Sequence, residues 1–130
     1  MFQQLKLFMI TLLIFLVVDF VWLAFISRSF YQQQLGHLMS EKINWVAACI
    51  FYVLFVCALI YFVIQPSLQT QNIQQLIISS LFFGLITYAT YDLTNLATLA
   101  SWPLVVSLVD IVWGSGLSLV TSLLTFWIMR

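Results

Sequence analysis

Four stretches of this chain, 5–26, 43–64, 73–97 and 103–129, are long and almost unbroken runs of apolar residues. A helix rises about 1.5 Å per residue, so about 20 such residues cross the roughly 30 Å hydrocarbon core of a bilayer. Inside lipid every backbone N–H and C=O must find its partner within the protein, which leaves helices or closed barrels. Continuous apolar runs of this length, without strict alternation, are helical. Composition removes the soluble alternatives. Of 130 residues, 64% are hydrophobic and only 6% charged, whereas soluble domains carry about 25% charge. Nothing here can cover a water-soluble globule, no basic excess exists to bind nucleic acid, and no polar tract would stay disordered. The expected architecture is all-α: one transmembrane domain over residues 1–130, a polytopic four-helix bundle whose partner is membrane lipid.

The first run is too long for a signal-peptide core, contains Asp19 and lacks a small-x-small cleavage site, so it reads as a span. Gln65-Pro66-Ser67 predicts the end of the second helix, because proline cannot continue it and restricts the residue before it. The connections are then about sixteen, eight and a few residues. Ser101-Trp102-Pro103 restarts the fourth helix, with Ser101 as N-cap and proline in the first turn. In the first connection Phe30, Tyr31, Leu35, Leu38 and Met39 recur near helical spacing among glutamines, which predicts a short helix lying at the interface. At Tyr91–Asn95 the third helix is as ready to break as to continue, since Asp, Thr and Asn side chains compete for backbone hydrogen bonds.

Orientation is undecided by charge. Lys6 and Arg130 fall on one side, Arg28 and Lys42 on the other, so the lysine and arginine count gives no bias. The N-terminal amine tilts the reading toward cytoplasmic termini, and an antiparallel dimer of dual-topology chains is the alternative. Cys49 and Cys57 lie about 12 Å apart along one helix, too far for a disulfide, and read as small buried hydrophobes. His37 is the only histidine and has no ligand partner nearby, so neither metal nor cofactor is expected.

The acids are the informative residues. Glu41 stands beside Lys42 in a connection and reads as solvated. Asp19, Asp92 and Asp110 sit in or at the edge of spans, where a carboxylate costs about 2.5 kcal/mol or more and normally faces a bundle interior or a wet cavity. Asp19 lies seven residues before Ile26 and Asp110 seven after Pro103. Each is therefore about 10 Å below the same membrane face, and Asp92 comes just before the third helix reaches it. The strings Val18-Asp19-Phe20-Val21-Trp22 and Val109-Asp110-Ile111-Val112-Trp113 repeat the same acid and indole spacing. An indole N–H donates to a carboxylate more readily across helices than within such a pair.

Small and hydroxyl residues form stripes on the last two spans, at three- and four-residue steps. One stripe contains Ser107, Asp110, Gly114, Ser118, Thr121 and Thr125; the other contains Ser80, Gly84, Thr87, Tyr91, Thr94 and Thr98, beside a row of Tyr88, Asp92 and Asn95. Such stripes let membrane helices approach closely, which predicts that spans three and four pack together with their leucine and phenylalanine faces toward lipid. The bland account of the aspartates is helix packing, with the carboxyls neutral or paired to Tyr, Trp, Ser and Asn. The functional account is a proton- or cation-responsive pocket, with Asp19, Asp92 and Asp110 as its charged groups and Trp22, Tyr88, Tyr91, Thr94, Asn95 and Trp113 as its lining. Trp45, Trp102 and Trp127, near span ends, read as an ordinary aromatic belt.

Tyr88-Ala89-Thr90-Tyr91-Asp92-Leu93-Thr94-Asn95-Leu96-Ala97-Thr98-Leu99, followed by Trp102-Pro103, Asp110 and Trp113-Gly114, resembles the signature of the bacterial membrane protein family catalogued as domain of unknown function 2177. Asp19 with Trp22-Leu23, Phe30-Tyr31 with Leu35-Gly36, Asn44-Trp45, Phe51-Tyr52, and Gln65-Pro66 with Leu68 fit the same pattern. The resemblance covers nearly the whole chain. It implies a small multi-pass protein of the bacterial cytoplasmic membrane and carries no reaction with it. The leading functional reading is therefore binding or movement of a small molecule through the aspartate pocket, with a homodimer to enclose the path. Four-span transporters with an acid in the first helix are an architectural analogy only. The alternatives are a non-catalytic assembly or lipid-interaction module and a membrane-embedded lipid-modifying enzyme. The last is disfavoured, because no Ser/His/Asp or Cys/His nucleophile set accompanies the acids.

Overall fold

The computed structural model describes residues 2–26, 28–38 and 44–130. Helix α1 spans Phe2–Val21 and widens into a π-helical turn at Trp22–Ile26; α2 covers Arg28–Leu35; α3 spans Trp45–Leu59 and passes through a second π-helical turn, Ile60–Ile64, into α4, Gln65–Thr70; α5 covers Ile73–Thr98 and α6 Leu104–Met129. Among the described residues, four continuous helical stretches are long and apolar enough to cross a membrane: Phe2–Phe25, Trp45–Thr70, Ile73–Thr98 and Leu104–Met129. The chain is an all-α, four-helix membrane bundle, with α2 as a short helix in the first connection. Glu41, Lys42, Met39 and the expected start of the second span at Ile43 lie outside the described residues.

Pro66 does not end the second helix. The Gln65 N–H bonds to the Ile60 carbonyl, five residues back. That wider turn makes room for the proline ring, whose clash in an α-helix is with the carbonyl four residues back. The helix runs on to Thr70 and stops at Gln71, in the left-handed conformation with φ 53°. Asn72 then caps α5 by accepting from the Gln75 N–H. The connection is thus Gln71 and Asn72 in place of the expected eight residues. Ser101 is not the cap of α6 either. Pro103 holds that position in an extended conformation, where its missing N–H leaves no helical bond unmade.

Helix α5 continues unbroken through Tyr91–Asn95. Thr87, Thr90, Thr94 and Thr98 turn their hydroxyls back onto carbonyls four residues earlier, so they are satisfied within the helix instead of disrupting it. The most extensive helix pair is α5 with α6. Gly84 lets them meet: a Cβ there would lie 2.4 Å from the Gly114 carbonyl oxygen and 2.7 Å from the Ser115 Cα.

Burial is inverted relative to a soluble protein. Leu13, Phe20, Leu54, Phe82, Leu108 and Val112 are exposed, whereas Thr11, Ser80, Ser107, Ser118, Thr121 and Thr125 are fully buried with Asp92, and Asp19 and Asp110 are nearly so. Lipid is as apolar as leucine, so the polar groups have the most to gain from the interior. Cys49 and Cys57 also face outward as free thiols, contrary to the buried role expected of them.

Candidate functional site

Antiparallel α1 and α6 bring their repeated strings to one level. The Trp22 and Trp113 rings stack face to face, 4.4 Å between centroids and 8° between planes. The Trp113 indole donates across the helix boundary to Asp19, 3.4 Å away, and Asp19 also accepts from the Tyr52 hydroxyl of α3 at 3.1 Å. Asp110 accepts from the Tyr31 hydroxyl of α2. Burial first, then the adjoining Asp110 carboxyl, holds the Tyr31 phenol above the ordinary tyrosine range, so it stays a donor.

Asp92 is fully buried and both of its carboxyl oxygens lack a hydrogen-bond partner. Asp110 is the acid that acts on it. Its backbone is fixed by a relay: the Trp102 indole donates to Ser107 at 3.0 Å, and the Ser107 hydroxyl donates to the Asp92 carbonyl at 3.0 Å. Trp102 is thus buried against the top of α6 instead of standing in an interfacial belt. Trp45 and Trp127 are exposed. Asp19 likewise feels Asp110, and among the described residues the groups acting on Asp19 and Asp92 include no cation.

A cavity of about 340 Å³ opens beside this cluster, lined by Phe51, Phe55, Thr87, Tyr88, Tyr91 and Asp110. Tyr88 is seated over Gly114, where a Cβ would fall 2.2 Å from its ring. It is acted on by both Asp19 and Asp110. Phe55 packs edge-on against Phe83 and Tyr88 at 5.3 and 6.2 Å, closing the inner end. Tyr91 stands edge-on to Trp102 at 5.9 Å, closing the outer end.

The three aspartates therefore approach one another without sharing a single open pocket. Asp110 faces the aromatic cavity, Asp19 borders a separate groove between α1 and α3, and Asp92 is enclosed. Tyr52 and Trp113 bond to Asp19, and Tyr88 is acted on by both Asp19 and Asp110. Of the expected lining residues, Tyr88 and Tyr91 are cavity walls. Trp22 and Trp113 are not; they border a lipid-facing groove with Val112 and Gly116 and act through Asp19 and Tyr31. Thr94 points outward, its hydroxyl returned to the Thr90 carbonyl. Asn95 interacts with Tyr91 one turn away and does not line the cavity.

Tyr31, Tyr52, Phe51, Phe55 and Thr87 were not expected at the site. Tyr52 lies seven residues beyond Trp45, the same number of residues that sets the depth of Asp19 and Asp110 in their helices. Counting inward from that helix end places it with the acids. Tyr31 carries no such signal, because it reaches Asp110 from outside the four spans.

A family model described as "Predicted membrane protein (DUF2177)" matches residues 4–127. No curated protein and no solved structure matches the chain.

Proposed function

The chain belongs to the DUF2177 family of membrane proteins, and we propose that it binds a small organic cation in the aromatic cavity beside Asp110, within the bacterial cytoplasmic membrane. The observation that carries this reading is a cavity of about 340 Å³ whose walls are three aromatic rings at Phe51, Phe55 and Tyr88, with Tyr91 at its mouth and one carboxyl at its back. That volume suits a small ligand. Aromatic faces attract ammonium groups most strongly when water is excluded, by about 2 kcal/mol per desolvated contact. Acid–base chemistry at a bound substrate has less support, since the Asp110 carboxyl stands in the cavity wall without a nucleophile or a second acid–base group beside it there.

Isothermal titration of the purified protein with phenyltrimethylammonium tests the proposal. Binding is expected to fall at least tenfold in Asp110→Asn and to be absent for the neutral isostere tert-butylbenzene. Equal binding of the neutral isostere, or no effect of Asp110→Asn in protein of unchanged helicity, overturns it.

A further inference from the structure

We infer that the ligand is a cationic amphiphile that reaches Asp110 sideways from the lipid, through the gap between α3 and α5, with its hydrocarbon tail left among the acyl chains. This rests on the cation reading above and names the kind of molecule it takes.

Depth comes first. Phe51 lies six residues beyond Trp45, Asp110 six beyond Leu104, and Tyr91 seven before Thr98, so each is about 9–10 Å in from its helix end. Spans of 26 residues are about 39 Å long and overhang a roughly 30 Å core by about 4–5 Å on each side. The cavity therefore opens about 5 Å inside the boundary where headgroups give way to acyl chains.

Access comes next. On the lipid side the wall residues Phe51 and Tyr91 are 47% and 57% exposed, and α3 meets α5 deeper in the membrane, where Phe55 touches Phe83 and Tyr88. Toward the aqueous end the route is occupied. Tyr31 of α2 is bonded to Asp110, and Trp102 packs on Tyr91 while donating to Ser107. A hydrated ion must break the Tyr31–Asp110 bond and shed its water. An amphiphile already in the leaflet has only to tilt its head inward.

Charge selects among amphiphiles. Among the described residues, the titratable groups acting with Asp110 are Tyr31 from α2, Tyr88, Tyr91 and Asp92 from α5, and Asp19 from α1. None of them is a cation, so a zwitterionic phospholipid would set its phosphate against acids, with no cation beside them among the described residues to receive it. A long-chain amine or quaternary ammonium carries no such penalty.

The full-length protein in phosphatidylglycerol nanodiscs tests this, because that lipid has no ammonium. Saturation-transfer NMR on the trimethylammonium protons compares dodecyltrimethylammonium with tetramethylammonium, which share a head and differ in the tail. Asp110→Asn discs supply the background. The dodecyl compound is expected to bind at least a hundredfold more tightly. Thr87→Trp, which sets a ring in the gap, is expected to cut that binding at least tenfold, with Phe51→Trp as the substitute should Thr87→Trp lose its helical signal. Asp110-dependent binding of tetramethylammonium as tight as that of the dodecyl compound overturns lateral access and leaves the cation reading standing. No Asp110-dependent binding of either probe overturns both. Competition by added phosphatidylethanolamine overturns the assignment to a phosphate-free amphiphile.

Discussion

Gly84 and Gly114 are both contact glycines, yet they face different atoms and should fail differently. A Cβ at Gly84 meets the backbone of Gly114 and Ser115, which cannot move without separating α5 from α6. Gly84→Ala is therefore expected to cost about 1–3 kcal/mol, the usual range for overpacking, read as a lower unfolding midpoint in mixed micelles. At Gly114 the obstacle is the root of the Tyr88 ring, which is itself packed against Phe55. Gly114→Ala should cost stability on the same scale and should also weaken cation binding, because Tyr88 is displaced from the cavity wall. Gln71 is the converse case: the only non-glycine residue with positive φ among those described, it stands where helices commonly end in glycine. Its Nε2 donates to the exposed Leu68 carbonyl at 2.8 Å, which offsets part of the strain. Gln71→Gly should raise stability by up to about 1 kcal/mol in the same unfolding experiment.

At the scale of the helix, the inner face of α6 separates hydroxyls that bond from hydroxyls that only pack. Ser107 links Trp102 to Asp92. Ser118, Thr121, Ser122 and Thr125 are fully buried and their hydroxyls have no partner. An apolar group of the same shape is then neutral or stabilising, since no bond is lost and the burial penalty of the hydroxyl is removed. Thr121→Val and Thr125→Val should leave the unfolding free energy unchanged or raise it by about 1 kcal/mol each, whereas Ser107→Ala should lower it and quench or shift the Trp102 emission. The sequence carries the stripe but not this division, because spacing shows which face a hydroxyl occupies and not whether an acceptor stands opposite. The spans themselves were legible because lipid imposes length and apolarity on each helix independently. Their ends were less so. Proline reads as a terminator, and only the π-helical turn before Pro66, a feature without a residue signature, lets the helix pass it. The level of the acids could be counted at a fixed rise per residue, but their partners could not. Helix rotation is poorly encoded when leucine suits both lipid and core, so Tyr52 and the aromatic walls emerge only from packing.

For the whole molecule, lipid outside and hydroxyls within set the bundle's shape but say nothing about which way up it sits. Lys6 and Arg130 oppose Arg28 and Lys42, and orientation follows the lysine and arginine balance of short connections. A chain so evenly poised should be turned by one charge. Arg28 sits at the start of α2, is exposed, and shows no ion pair among the described residues, so Arg28→Ser removes a topological signal with little effect on folding. Leaving two basic residues on the face shared by the termini and one on the other, it should shift the chain toward termini on the cytoplasmic side. Arg130→Ser should shift it the opposite way. A C-terminal tag that fluoresces only in the cytoplasm, paired with one that is enzymatically active only outside, measures the ratio directly. Opposite shifts in the two variants are expected. If neither variant moves the ratio, the bundle's own interior, with its acids drawn beneath one face, fixes the orientation more strongly than the loops do.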